Sequence, residues 1–192
     1  AGLYVKGTGI PAGATIASLN SSTSFELSAS TTGGAVTNGT LTFHRNVGVH
    51  NVAVGSAALS VVTSGGYNIA IGSNSLDAVT TGGSNFAAGY LAGTDLTSGS
   101  YNICIGREAG ANFDTESGNI AIGYKALYTD TLSDGYNVAV GYRALEDQSV
   151  ASANNVAVGY AAGYNLTTGT DNVYVGFNAG GVGVLTGDRN VA

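Results

Sequence analysis

From residue 51 onward the chain repeats one arrangement of polar and apolar positions: Asn, an apolar residue, a small residue, a second apolar residue, then Gly. The first copy reads Asn51-Val52-Ala53-Val54-Gly55 and the eighth Asn172-Val173-Tyr174-Val175-Gly176. The motif Asn stands at Asn51, Asn68, Asn85, Asn102, Asn119, Asn137, Asn155 and Asn172, so each unit is seventeen or eighteen residues long. Apolar residues two apart share one face of a strand, so every copy predicts a short strand. A fixed period signals a stacked architecture whose units cannot bury an apolar face alone. This period is shorter than the roughly 33–47 residues of the common helical repeats and the roughly 20–29 of leucine-rich repeats. β-Solenoids and β-rolls remain.

Aligned on the Asn, the copies form columns. The first apolar column is Val52, Ile69, Phe86, Ile103, Ile120, Val138, Val156 and Val173; the second is Val54, Ile71, Ala88, Ile105, Ile122, Val140, Val158 and Val175. Between them lie Ala53, Ala70, Ala87, Cys104, Ala121, Ala139, Ala157 and Tyr174, so the other strand face is small and also apolar. A solvent-facing strand position ordinarily carries a polar residue, and this strand is therefore expected to be covered on both faces. The next column is Gly throughout: Gly55, Gly72, Gly89, Gly106, Gly123, Gly141, Gly159 and Gly176. Its freedom at positive φ marks the bend that ends the strand.

Three residues further, Ala58, Ser75, Ala92, Ala109, Ala126, Ala144, Ala162 and Ala179 form a small-residue column, followed by Leu59, Leu76, Gly93, Gly110, Leu127, Leu145, Gly163 and Gly180. The rest of each unit varies but often holds one apolar residue and then Thr, Ser and Gly, as in Leu96-Thr97-Ser98-Gly99. This pattern predicts a second, shorter strand with a turn. Stacked Asn predict a ladder of side-chain amides along the stack. The competing reading is turn chemistry, since Asn tolerates the left-handed region and bonds its own backbone. Neither implies catalysis.

Composition bears on assembly. The chain has 31 Gly, one Pro and only 9% charged residues with 44% hydrophobic ones. Soluble domains carry about 25% charged residues, so much of this surface is expected to be covered by other copies of the chain. The periodic Val and Ile supply the apolar area that disordered tracts lack. A net charge of −6 and six cations, Lys6, Arg45, Arg107, Lys125, Arg143 and Arg189, argue against nucleic acid, whose phosphates need clustered Lys and Arg. No apolar run approaches the roughly 18 residues of a membrane span, so no membrane insertion is expected.

Residues 1–45 lack the period. Leu3-Tyr4-Val5, Gly7 to Gly13, Thr15-Ile16-Ala17, Thr23 to Leu27 and Thr40 to Phe43 read as short antiparallel strands, with a Ser, Thr and Gly-rich linker from Ser28 to Thr40. Two parts follow: a small β module at 1–45, too short to bury a full core alone, and a repeat rod at 46–192. Asn190-Val191-Ala192 begins a ninth motif, and the sequence reads as a segment of a longer one.

Val5-Lys6-Gly7-Thr8-Gly9-Ile10-Pro11-Ala12-Gly13-Ala14-Thr15-Ile16, continuing to Phe25-Glu26-Leu27-Ser28 and Thr40-Leu41-Thr42-Phe43, resembles a small β module of tailed-phage virion proteins. The repeats, such as Gly135-Tyr136-Asn137-Val138-Ala139-Val140-Gly141-Tyr142-Arg143-Ala144-Leu145, resemble the Asn-Thr-Ala-Val-Gly-Tyr-x-Ala-Leu repeats of phage tail fibres that often precede an intramolecular chaperone domain. They are also similar to the Asn-Ser-Val-Ala-Ile-Gly repeats in heads of trimeric autotransporter adhesins. Both motifs in one chain favour the phage fibre. The resemblance implies a virion or extracellular location, a homotrimer, and other fibre or virion proteins as partners. The sequence suits a trimer independently, because one coil encloses a thin core and three chains packed by their Ala and Gly columns would cover the second strand face. The expected fold is thus all-β, a β-roll or β-solenoid forming an intertwined homotrimeric rod roughly 40 Å long at about 4.8 Å per layer. A single-chain left-handed helix of hexapeptides ranks second, since Val54-Gly55-x-x-Ala58 matches one of its three turns.

The candidate chemistry is sparse. Tyr90, Tyr124, Tyr142, Tyr160 and Phe177 follow the Gly, and Tyr67, Tyr101 and Tyr136 precede the Asn. Such rows suit stacking on the sugar rings of a host-cell glycan, against the alternative of an aromatic ladder packed on itself or on the next chain. Glycan cleavage would need two carboxylates roughly 5–10 Å apart, and nothing in the spacing of Asp114, Glu116, Asp130, Asp134, Glu146 and Asp147 fixes such a pair. The reading is of a non-enzyme without metal or cofactor. His44 and His50 lack supporting ligands, and Cys104 takes an Ala position as a buried packing residue without an activating cation.

Overall fold

A computed structural model describes the backbone of residues 16–21 and 24–27, and residues 50–128, 135–147, 153–181 and 186–192 in full. The chain divides into two compact units, Ala1–Arg45 and Asn46–Ala192. In the first, β1 (Ile16–Ser21) pairs antiparallel with β2 (Ser24–Leu27), with Leu19 opposite Phe25. The other strands expected there, at Leu3 to Val5, Gly7 to Gly13 and Thr40 to Phe43, lie outside the described residues.

The second unit is an all-β solenoid. It carries one strand per coil: β3 (Val52–Val54), β4 (Ile69–Ile71), β5 (Phe86–Ala88), β6 (Ile103–Ile105), β7 (Ile120–Ile122), β8 (Val138–Val140), β9 (Val156–Val158) and β10 (Val173–Val175). They form one parallel eight-stranded sheet in sequence order. Pairing is in register, Val over Ile and Ala over Ala, from Ala53↔Ala70 to Ala157↔Tyr174. A parallel ladder needs each strand to return at the same height and direction, which seventeen or eighteen residues achieve by closing one turn of coil.

The motif Asn holds the turn before each strand. Its side-chain oxygen accepts the backbone N–H of the next Asn at 2.7–3.0 Å, from Asn68 on Asn51 through Asn172 on Asn155. Asn85 and Asn102 also donate Nδ2–H to the preceding Asn oxygen, at 3.0 and 3.2 Å, and to the carbonyls of Gly99 and Glu116, at 2.9 and 2.8 Å. From Asn68 to Asn172 these side chains are fully buried or nearly so, where an unmet amide would be costly. The amide ladder is the reading the structure bears out: none of the eight motif Asn has left-handed backbone, and their side chains bond residues fourteen to eighteen places away, not their own local backbone.

The strand ends at Gly for two physical reasons. Its φ lies between +125° and +146° in all eight copies. At Gly141, moreover, a Cβ would stand 2.2 Å from the carbonyl oxygen of Gly159 in the next coil. Backbones of successive coils touch there, leaving no room for a side chain.

Beyond the Gly the variable arc is built of turns. The second short strand is not formed among the described residues, because residues two and four places past the Gly adopt left-handed φ, as at Lys125 (52°) and Leu127 (49°), and interrupt any extended run. The arcs still bond coil to coil, for example Thr63 N–H to Thr80 O at 2.9 Å and Thr80 N–H to Thr97 O at 2.8 Å.

The core lies inside the coil and belongs to one chain. It stacks the strand Ala column, the Ala58 column and the Leu residues, nearly all fully buried. The Ala and Gly columns therefore face their own chain's interior, not neighbouring chains, because the Leu and Phe113 side chains that fill each closed coil leave mostly small residues room beside them. Leu59, Leu76, Leu127 and Leu145 occupy the left-handed region, which costs about 1–2 kcal/mol per residue. Full burial of a Leu, worth about 1.5–3 kcal/mol, offsets it.

Core volume is shared between adjacent coils: a Cβ on Gly93 would lie 2.9 Å from a Leu76 methyl carbon of the preceding coil, and one on Gly163 2.7 Å from a Leu145 methyl carbon. In two coils where this column is Leu, the buried residue three places on is Val, Val62 after Leu59 and Val79 after Leu76. Where it is Gly, that residue is larger: Gly93 with Leu96, Gly110 with Phe113, Gly163 with Leu166. A Cβ on Gly110 would lie 2.6 Å from the Phe113 ring and 2.8 Å from Cys104 Sγ.

Two substitutions test these contacts. Asn102→Ala leaves the Asn119 N–H and the Glu116 carbonyl without partners inside the rod, an expected loss of about 2–4 kcal/mol, read as a lower urea midpoint by circular dichroism. Gly141→Ala places a methyl against backbone at positive φ, and the soluble β-rich species is expected to disappear.

Candidate functional site

Strand alternation sends Ala inward and the two flanking columns outward. The outer face of the sheet is consequently a double apolar stripe eight rungs long, Val and Ile on all rungs but that of Phe86 and Ala88, exposed or half-buried throughout: Val52 is 49% exposed, Ile71 44% and Val175 59%. Nothing in the chain covers it among the described residues. Sequence reasoning expected cover on both faces, and the small middle column was the available signal for which face belongs inside.

Aromatic rows flank this stripe. On the edge after the Gly, Tyr124, Tyr142, Tyr160 and Phe177 stack at centroid distances of 5.2, 5.1 and 5.2 Å with interplanar angles of 29°, 4° and 15°. Arg107 replaces an aromatic in the row and sits 5.6 Å from the Tyr90 ring and 6.0 Å from Tyr124, bridging the two by cation–π contact. The row from Tyr90 to Phe177 is continuous. The ring faces of Tyr142 and Tyr160 lie against their neighbours, so these two offer edges and hydroxyls outward, and a sugar ring has no free face to stack on there.

The edge before the Asn is built differently. Tyr67, Tyr101 and Tyr136 stand on alternate rungs, with Ser84 and Gly118 between them. All three are strongly exposed and have left-handed backbone, φ of 61°, 63° and 61°. His50 stacks on Tyr67 at 4.8 Å and 17°.

Charges group beside the continuous aromatic row. Glu108, mostly buried, meets Arg107 at 2.8 Å and Lys125 at 3.7 Å; Glu146, also buried, meets Arg143 and, at 4.0 Å, Lys125. Arg143 donates to Tyr164 Oη at 2.7 Å, and its hydrogen bond to Glu146 raises its pKa further. Because Glu108, Lys125 and Arg143 share one column, unlike charges one coil apart were the sequence signal for this network.

The remaining acids are engaged or dispersed. Glu116 accepts the Asp114 N–H, Asp77 accepts from Thr94 Oγ1 at 2.6 Å, and burial with the nearby Asp77 and Asp114 raises the Asp95 pKa. Asp130, Asp134 and His44 lie outside the described residues. Among the described residues no group of three His, Cys, Asp or Glu could hold a metal ion, and no helix is long and apolar enough to cross a membrane.

Comparison with known protein families, curated proteins and solved structures returned no match to this chain.

Cys104 packs within the core beside Gly93 and Gly110, and burial pushes its thiol up to about 12. The thiolate is the nucleophile, so at pH 8 an alkylating reagent is expected to leave Cys104 unmodified until the rod is unfolded. Mass spectrometry with and without urea checks this.

Proposed function

We propose that residues 46–192 form the shaft of a fibre borne on a virion or cell surface, most like a phage tail fibre. It acts as a stiff spacer that presents a receptor-binding tip, and it assembles as a homotrimer through the Val/Ile sheet face. The uncovered face carries this reading. Its outward side chains expose on the order of several hundred Å² in one contiguous patch, beyond what monomers usually leave open and near the ~800 Å² each partner contributes to a stable interface.

The other features agree in kind. Low charge, repetition of one backbone unit, and continuous amide and aromatic ladders suit a rod whose task is length and stiffness. A bacterial surface adhesin would use the same assembly. In the trimer, each chain closes its own core and lends one face to the common centre. Side-by-side packing of complete coils supports this arrangement better than intertwined chains, since no coil needs a second chain to fill its interior. Neither a cofactor nor a catalytic group has a place in this function.

The solution mass tests the assembly. Light scattering is expected to give about three times the 18.9 kDa chain mass. The double substitution Ile105→Lys with Ile122→Lys, on the outward face, is expected to return it to one chain mass with the β signal retained. A wild-type chain that stays monomeric at micromolar concentration overturns the trimer.

A further inference from the structure

We infer that copies of the rod pack parallel and in register through the apolar sheet face, and that Phe86 and Ala88 set the register, an alignment that rests on the trimer proposed above. Seven of the eight rungs on this face carry one residue type twice, as Ile103 with Ile105 or Val138 with Val140. Only the rung of β5 is divided. Phe86 stands in its first column and Ala88 in its second, both half-buried, with Ala87 between them fully buried inside the coil.

The division keeps a total. Phe and Ala together carry eight side-chain carbons, as do two Ile, and the rungs paired with β5 on either side are the Ile pairs Ile69 with Ile71 and Ile103 with Ile105. Side-chain volume at this height is therefore held while its split between the columns is not. A face left to water sets no such balance, since solvent occupies whatever a smaller residue vacates. Balance matters where both columns fill one closed space, in which gaps and crowding are both felt. Where the rung total does change, both columns change together: Ile120 and Ile122 give way to Val138 and Val140 one rung on. Each rung acts as one layer.

Symmetry supplies the layer. Copies arranged in a ring about an axis along the rod meet head to tail, so the first column of one copy adjoins the second column of the next at the same height. Three copies in register bring both columns of every chain into one layer, where they alternate. At β5 that layer alternates Phe and Ala, and each ring enters the space left by an Ala of the adjacent copy. Other alignments lose this fit. A slip of one rung sets Phe86 beside Ile71 or Ile105, and fully overlapped antiparallel rods set β5 against β8, where Phe86 crowds Val and Ala88 leaves a void. The uniform rungs tolerate a slip better than this one does.

Disulfide trapping reads the register. Chains with Ile103→Cys and chains with Ile105→Cys, refolded together, bring thiols to one height, whereas Ile103→Cys mixed with Ile122→Cys offsets them by about 4.8 Å, outside disulfide reach. Cys104 is buried and does not compete. Oxidation is expected to give at least about tenfold more cross-linked dimer from the first mixture than from the second. Phe86→Ile with Ala88→Ile turns the divided rung into an ordinary one; it is expected to keep three chain masses and to lower that ratio to about threefold or less. An unchanged ratio overturns the role of Phe86 and Ala88, and so does loss of the trimer in this variant, because an Ile pair fills the layer equally. Cross-linking of Ile103→Cys alone as strong as in the first mixture joins like columns; it overturns the alignment and leaves the trimer standing. A monomeric wild-type chain overturns both.

Discussion

Every feature of the rod depends on the chain coming back, after seventeen or eighteen residues, to the same place one strand spacing higher. Backbone N–H and C=O groups then point along the stack and find partners in the adjacent coils, at the strand and again at the variable arc. Three residues of strand per coil could not hold such a structure alone. The buried Asn completes it, because one side chain accepts from the next coil's backbone, and in several coils donates both to the preceding amide and to a carbonyl fourteen residues on. Loss of register by one residue would exchange Ala for Val in an interior already filled by Leu side chains.

The order of the motif explains what could be read from the sequence. The period, the strand positions and the obligatory Gly follow from local chemistry, and the Asn spacing made a ladder one of two sensible readings. The inside and outside of the strand were harder. Val and Ile ordinarily mark a core, yet here the coil is so narrow that Ala53, Ala70 and their successors take the interior and the larger columns turn outward. Size, and not hydrophobicity, decided the direction. The expected second strand failed for another reason: left-handed residues such as Lys125 and Leu127 are not types that announce positive φ. Tyr columns were visible as rows, but where each ring lies depends on the residue in the adjoining coil, as Gly118, on which the Tyr136 ring settles, illustrates.

These observations divide the rod's surface into regions of different character. The apolar sheet face repeats from coil to coil, with Phe86 and Ala88 the one departure from Val and Ile. Beside it, one edge is sealed by continuous stacking of Tyr124, Tyr142, Tyr160 and Phe177, which stiffens the rod and leaves no ring face open between them. The other edge is interrupted, with Tyr67, Tyr101 and Tyr136 separated by Ser84 and Gly118. Repetition supplies the scaffold, and departures from it supply whatever selectivity the rod has.

Core volume is shared between neighbouring coils, the Leu of one filling the space above it that a Gly leaves in the next, as Leu76 does below Gly93 and Leu145 below Gly163. A coil therefore asks two things of the coil above it, a matching backbone and a complementary residue in one column. Coils gained or lost where those columns match leave the packing intact, and each such event changes the rod by one step of about 4.8 Å. Length becomes a counted quantity, set by the number of coils. A solenoid built this way changes its reach in small, discrete increments while its cross-section stays the same.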